Sequence, residues 1–146
     1  MSPNTITGRC QCGAVHYAAT GDVLIAGHCH CHACKKSTGS GHASVLFVPK
    51  EGFEVKGETT KYTSTGDSGN PISRHFCPTC GSRLFGEPRR MNDVIGIMVG
   101  TLDDPEIFVP NFQIYTKERA SWDHLNCDAP EFEGPPPPSN EQQPQA

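Results

Sequence analysis

Phe76-Cys-Pro-Thr-Cys-Gly-Ser-Arg-Leu84, set against Gly8-Arg-Cys-Gln-Cys-Gly-Ala-Val15, decides how this chain folds. Cys77 and Cys80, like Cys10 and Cys12, are close enough in sequence to chelate one ion. The glycine after each pair, Gly81 or Gly13, lets backbone N–H groups turn towards sulfur. Four thiolates make a closed, tetrahedral structural zinc site. The 64 residues between Cys12 and Cys77 mean that such an ion pins an N-terminal hairpin to the middle of the chain, replacing part of the core that a small domain lacks. A disulfide within either pair is the competing reading, disfavoured by the spacing and by a chain that reads as unexported.

Outward from these pairs, apolar residues run in short bursts: Ala14–Tyr17, Val23–Ile25, Ala43–Val48, Phe53–Val55, Thr60–Thr63, Val94–Val99 and Phe112–Tyr115. Most are β-branched or aromatic, and Gly, Pro, Asp or Asn separates them, so they read as strands joined by turns and the class is all-β. Gly and Pro number 15 and 13, as frequent turns require. One helical window stands out, Cys31 to Thr38, stopped by Gly39. From Pro130 to Ala146 the sequence holds six Pro, three Glu and no Lys or Arg, with Phe132 its one large apolar residue. The expectation is therefore a single domain over residues 1–129 and a disordered, acidic, Pro-rich tail over 130–146.

The chain has 146 residues, with 12 Lys and Arg against 16 Asp and Glu, a net charge of −4. That balance argues against a nucleic-acid partner, because neutralising phosphates takes a basic surface. No apolar run approaches the roughly 18 residues needed to span a bilayer, and MSPNTITGRC has no basic segment followed by an apolar one, so a cytoplasmic protein without a membrane partner is expected. In that compartment clustered Cys, eight in this chain, mean metal before disulfides.

A second cluster lies in Gly27-His-Cys-His-Cys-His-Ala-Cys-Lys-Lys36, where Cys29, Cys31 and Cys34 offer three thiolates and no fourth. Zinc held by three protein ligands keeps a position for water or substrate, as catalytic sites do. The alternative is a second structural site completed by His42, His75, His124 or Cys127. His28, His30 and His32 alternate with the thiols and, in an extended segment, face away from Cys29 and Cys31, as packing groups. Lys35, Lys36, Arg74 and Arg83 flank the clusters, where cations would offset the negative charge of thiolate centres; a solvated face is the equal alternative, and the commoner one for Lys. Cys127 reads as an incidental thiol and Trp122 as a core plug.

These three cysteine motifs, with Gly100-Thr-Leu-Asp-Asp-Pro105 and the late Trp122, resemble the family of glutathione-dependent formaldehyde-activating enzymes and the related centromere protein V domain over about residues 6 to 125. The resemblance implies an Mss4-like (β-tent), zinc-containing sandwich of short antiparallel strands with two zinc ions. One is structural, on Cys10, Cys12, Cys77 and Cys80. The other is catalytic, on Cys29, Cys31 and Cys34. It also implies a carbon–sulfur lyase that forms or cleaves a thiol–aldehyde adduct such as S-hydroxymethylglutathione, with glutathione or its adduct as the small-molecule partner. His32, His42 and His75 are candidate proton donors. Two other readings compete: a non-catalytic, zinc-stabilised binding module, and another thiol or aldehyde chemistry. A peptide methionine sulfoxide reductase is disfavoured, because it needs a nucleophilic Cys outside the metal sites and only Cys127, in poor context, remains.

Overall fold

The computed structural model describes residues 5–65, 69–88 and 92–136. Ten strands follow one another: β1 (Ile6–Arg9), β2 (His16–Ala19), β3 (Ile25–Cys29), β4 (Ala43–Pro49), β5 (Phe53–Lys56), β6 (Thr60–Thr65), β7 (Pro71–Phe76), β8 (Arg83–Pro88), β9 (Val94–Met98) and β10 (Phe112–Ile114). The helix α1 (His32–Thr38) interrupts them after β3. Its ends follow the expected chemistry: the Cys31 sulfur accepts the Cys34 N–H as an N-cap, and Gly39 ends the helix at φ 70°. No helix among the described residues is long and apolar enough to cross a membrane.

The strands form a three-stranded sheet, β1-β2-β5, and a seven-stranded sheet, β10-β3-β4-β9-β8-β7-β6. All pairings between these strands are antiparallel except β10 on β3, which is parallel. Side chains alternate across a strand, so each face of the large sheet is set by parity. Leu46 and Val48 of β4, with Ile95 and Ile97 of β9, point to one face. There they join Val15, Tyr17 and Ala19 from the small sheet in the core. Tyr17 adds a polar tie between the sheets, its hydroxyl 2.8 Å from Thr101 Oγ1. Val45 and Phe47, with Gly96 and Met98, line a cavity on the opposite face.

Two expectations need correction. β1, β7 and β8 are strands although none forms an apolar burst, and Val23 and Leu24 lie exposed before β3 rather than inside it. Trp122 does not plug the core: it is 70 % exposed. Part of the segment expected as a tail is hydrogen-bonded to the sheet. The Phe132 N–H bonds Gln113 O at 2.8 Å, the Gln113 N–H bonds Pro130 O at 2.8 Å, and the Tyr115 N–H bonds Gly134 O at 2.9 Å, so residues 130–136 run along β10. Backbone carbonyls of a Pro-rich segment still accept hydrogen bonds, and the free edge of β10 supplies donors to them as well as an acceptor for the Phe132 N–H. The remainder of the expected tail, 137–146, lies outside the described residues.

Candidate metal centres and cavity

The turn after β1 carries Cys10 and Cys12, and the turn between β7 and β8 carries Cys77 and Cys80. Their four sulfurs lie within 4.8 Å of one another. Cys10 Sγ is 3.6 Å from Cys12 Sγ, which is 3.7 Å from Cys77 Sγ. A tetrahedron of sulfurs around zinc has edges of about 3.8 Å, whereas a disulfide bond is about 2 Å, so the separations fit a shared ion. Gly13 and Gly81 take φ 82° and 78°, and both turns aim backbone donors at sulfur. The Val15 N–H reaches Cys10 Sγ at 3.3 Å; the Thr79 and Cys80 N–H groups reach Cys77 Sγ at 3.4 and 3.5 Å. The Ser82 hydroxyl, with backbone bonds at Cys12 and Ser82, draws the Cys80 thiol down to about 5. The spacing of the four sulfurs and the donors aimed at them thus fit a zinc ion.

Cys29 ends β3, Cys31 caps α1 and Cys34 lies in its first turn, so six consecutive residues bring three sulfurs together. They share negative charge unequally: hydrogen bonds from Cys29 and Cys34 hold Cys31 down at about 2, while Cys31 pushes Cys29 far up. Among the described residues no fourth His, Cys, Asp or Glu joins them. His42 instead bonds Asp123, and His75 bonds Thr59 and Glu87. The strand alternation holds as expected. Cys29 faces the cavity, whereas His28 turns to Ser44 and His30 to Gln113, and His32 is an exposed neighbour of Glu118. Burial and the nearby His42 and His30 hold His28 at about 4, so it is neutral at pH 7.

The cavity onto which Cys29, Cys31 and Cys34 open measures about 190 Å³. Gly27 shapes its floor: a Cβ there would stand 2.5 Å from Phe112 O, so only glycine lets β10 close against β3. Its walls are apolar apart from Arg74, Arg83, Asn70 and Tyr115. Arg74 is 6 % exposed and donates to Ser64 Oγ at 2.6 Å; Arg83 donates to Ser37 Oγ at 2.6 Å. The Nε of each guanidinium is buried with no hydrogen-bond partner, and among the described residues no carboxylate pairs with either. Burial, and then repulsion from Arg74, lowers Arg83 to about 10. Two cations brought together in an apolar cavity call for an anion beside them. None of the three histidines considered as proton donors lines this cavity, and Tyr115 carries the one hydroxyl among its lining residues. The sequence singled out both arginines and the three thiols; the cavity itself, built by long-range strand pairing, it did not reveal.

Residues 5–118 match the family described as glutathione-dependent formaldehyde-activating enzyme. A protein of Fusarium vanettenii, provisionally named glutathione-dependent formaldehyde-activating enzyme, is 29 % identical over 91 residues, which are 61 % of this chain and 48 % of that protein. The chain thus spans about half the length of that curated relative. The crystal structure of a Rhodobacter sphaeroides protein, a structural-genomics target, superposes with a TM-score of 0.54 at 24 % identity, covering 69 % of this chain and 93 % of the other. That likeness is one of fold.

Proposed function

Because the chain belongs to the glutathione-dependent formaldehyde-activating enzyme family, we propose that it forms or cleaves the carbon–sulfur bond between a thiol such as glutathione and an aldehyde such as formaldehyde. The observation that carries this reading is the opening of three thiols, without a fourth donor among the described residues, onto a cavity lined by Arg74 and Arg83, whose buried Nε groups have no hydrogen-bond partner. Zinc bound by Cys29, Cys31 and Cys34 supplies a Lewis acid that lowers the pKa of an entering thiol. Cys10, Cys12, Cys77 and Cys80 hold the structural ion.

The chain's own residues do the rest. Three thiolates around a divalent ion carry one net negative charge and an entering thiolate adds a second, and Arg74 and Arg83 match both. The apolar walls keep water out, so this pairing is stronger than at a surface. In the forming direction the thiolate attacks the carbonyl carbon, and the C=O π pair passes to the aldehyde oxygen next to the Arg74 and Arg83 guanidiniums. Tyr115 supplies the proton that makes the adduct's hydroxyl, and the proton given up by the entering thiol restores Tyr115. Cleavage runs the same sequence backwards, with the proton returned to Tyr115 and the C–S electron pair to sulfur.

Thiols and formaldehyde also combine unaided, so the test is the rate of exchange between free glutathione and its hydroxymethyl adduct with zinc-loaded protein. Wild type accelerates exchange, Cys31→Ser does not, and Tyr115→Phe slows it by about 10²-fold. Exchange at the background rate with wild type overturns the reading in favour of a zinc-stabilised binding module.

A further inference from the structure

Behind the three-thiol segment, on the face of β3 turned away from the cavity, His30, His42 and Asp123 bring two ring nitrogens and a carboxylate oxygen within 4.8 Å of one another. His42 Nδ1 is 2.8 Å from Asp123 Oδ2 and His30 Nδ1 is 3.5 Å from the same oxygen. Ligands on a tetrahedral ion at bond lengths near 2 Å stand about 3.3 Å apart, between these two values.

The protonation of His30 follows from its neighbours. Arg119 Nη2 donates to Gln113 Oε1 at 3.1 Å, and a guanidinium can only donate, which identifies that Gln113 atom as the acceptor oxygen. His30 Nε2, 3.3 Å from the same oxygen, therefore carries the ring proton. In the neutral ring Nδ1 is then a lone pair 3.5 Å from a carboxylate oxygen. This residue is 0 % exposed, and its Nδ1 is among the buried atoms without a hydrogen-bond partner. Two acceptor atoms brought this close in a buried site are unfavourable unless a cation lies beside them. An imidazole whose far nitrogen donates to a carbonyl-type oxygen is also the usual arrangement of a metal-bound histidine. The positive charge of Arg119 is met by Glu131 at 2.7 Å and does not oppose a cation here.

Space for Asp123 is reserved as well, since a Cβ on Gly41 would stand 2.7 Å from Asp123 Oδ2.

We propose that His30, His42 and Asp123 form a third metal site, independent of both thiol clusters and of the proposed reaction, for a divalent first-row ion that prefers nitrogen and oxygen ligands. Binding replaces the proton on His42 Nδ1, and the ion enters from the side of His42, the most exposed of the three at 17 % of its side chain. It ties together the end of β3, the residue before β4 and the segment after β10, bracing from behind the strand that presents Cys29.

The test titrates zinc-loaded, full-length protein, its thiol clusters saturated, with Co²⁺. The expected result is one further equivalent with visible d–d absorption and no new sulfur-to-cobalt charge-transfer band. His42→Ala and the isosteric Asp123→Asn each weaken that uptake by more than about tenfold, with thiol-bound zinc unchanged. The proposal is overturned if wild type takes up no cobalt beyond the thiol clusters, or if the extra equivalent survives both substitutions. Should a variant fail to fold, wild-type crystals soaked in Co²⁺ decide: an anomalous peak among His30, His42 and Asp123 supports the site, and none there overturns it. Loss of thiol-bound metal would show separately, in the charge-transfer band.

Discussion

The two cysteine clusters offer the same ligand atoms, and on the proposed reading they serve different ends because of what each one joins. Cys10 and Cys12 lie in a turn beside the small sheet, and Cys77 and Cys80 in a turn of the large one, with Cys12 and Cys77 standing 65 positions apart. An ion shared among them closes a long loop and ties two sheets, so its binding energy is folding energy. Cys29, Cys31 and Cys34 come from one strand end and the first turn of α1, which backbone hydrogen bonds already hold in place. An ion there closes almost no loop, and its free position faces a cavity rather than a fourth thiol. Closure over distance yields stability; a local, incomplete ligand set yields a reactive position.

The largest expected effect breaks this contrast directly. Metal-linked folding energy of about 10 kcal/mol is comparable to the whole stability of a small domain, so Cys77→Ser leaves the chain unfolded. Cys31→Ser gives a folded protein that lacks one zinc. Circular dichroism and metal analysis check both, and equal collapse of the two variants would erase the distinction.

Within the open site, Arg83→Met keeps both zinc ions but slows glutathione–adduct exchange by about 10² to 10³-fold, the usual cost of removing a charge stabiliser from a dry site. Arg83→Lys recovers part of the rate. An unchanged rate in Arg83→Met would mean that the cavity's cations serve packing alone.

Truncation after Ala129 removes the segment hydrogen-bonded to β10 while leaving both clusters intact. At about 0.5 kcal/mol for each lost backbone bond, Tm falls by several degrees in a melt, and zinc content stays the same. An unchanged Tm would return residues 130–136 to the disordered tail that their composition suggests.

The smallest effect concerns Tyr17, which leans from the small sheet onto the core. Burial raises its pKa to about 12, above the value of 10.0 for an exposed tyrosine. The folded state thus favours the neutral phenol. Its contribution to stability is complete below pH 10 and is lost as pH rises from 10 to 12, on the order of 1 kcal/mol by pH 10.5. Denaturant titrations of wild type and Tyr17→Phe converge or cross over that range; a constant difference would contradict the assignment.

The closed cluster was legible because its chemistry is local: two pairs at chelating spacing, each followed by glycine, announce a shared ion however far apart they fall. α1 was legible for the same reason, from Cys31 at one end and Gly39 at the other. β7 and β8 were not. Arg74 and Arg83 interrupt their apolar pattern because these strands line a cavity that holds cations, so the residues that conceal the strands are those that make the site. Nor was the His30–His42–Asp123 cluster, whose members are 12 and 81 residues apart and meet only through the pairing of β3 with β4 and β10. Trp122 shows a converse error: its size suggested burial, yet it packs beside Gly41 at the surface.

The most direct test of an open site opposed to a closed one is the spectrum of protein substituted with cobalt at both thiol clusters, recorded as glutathione is added. The account predicts that new sulfur-to-cobalt charge transfer develops as the thiol takes the fourth position beside Cys29, Cys31 and Cys34, that formaldehyde then alters this signal, and that Cys31→Ser abolishes both changes while the signal of the four-thiol cluster stays constant. A spectrum indifferent to glutathione, or an equal response in Cys31→Ser, would contradict it.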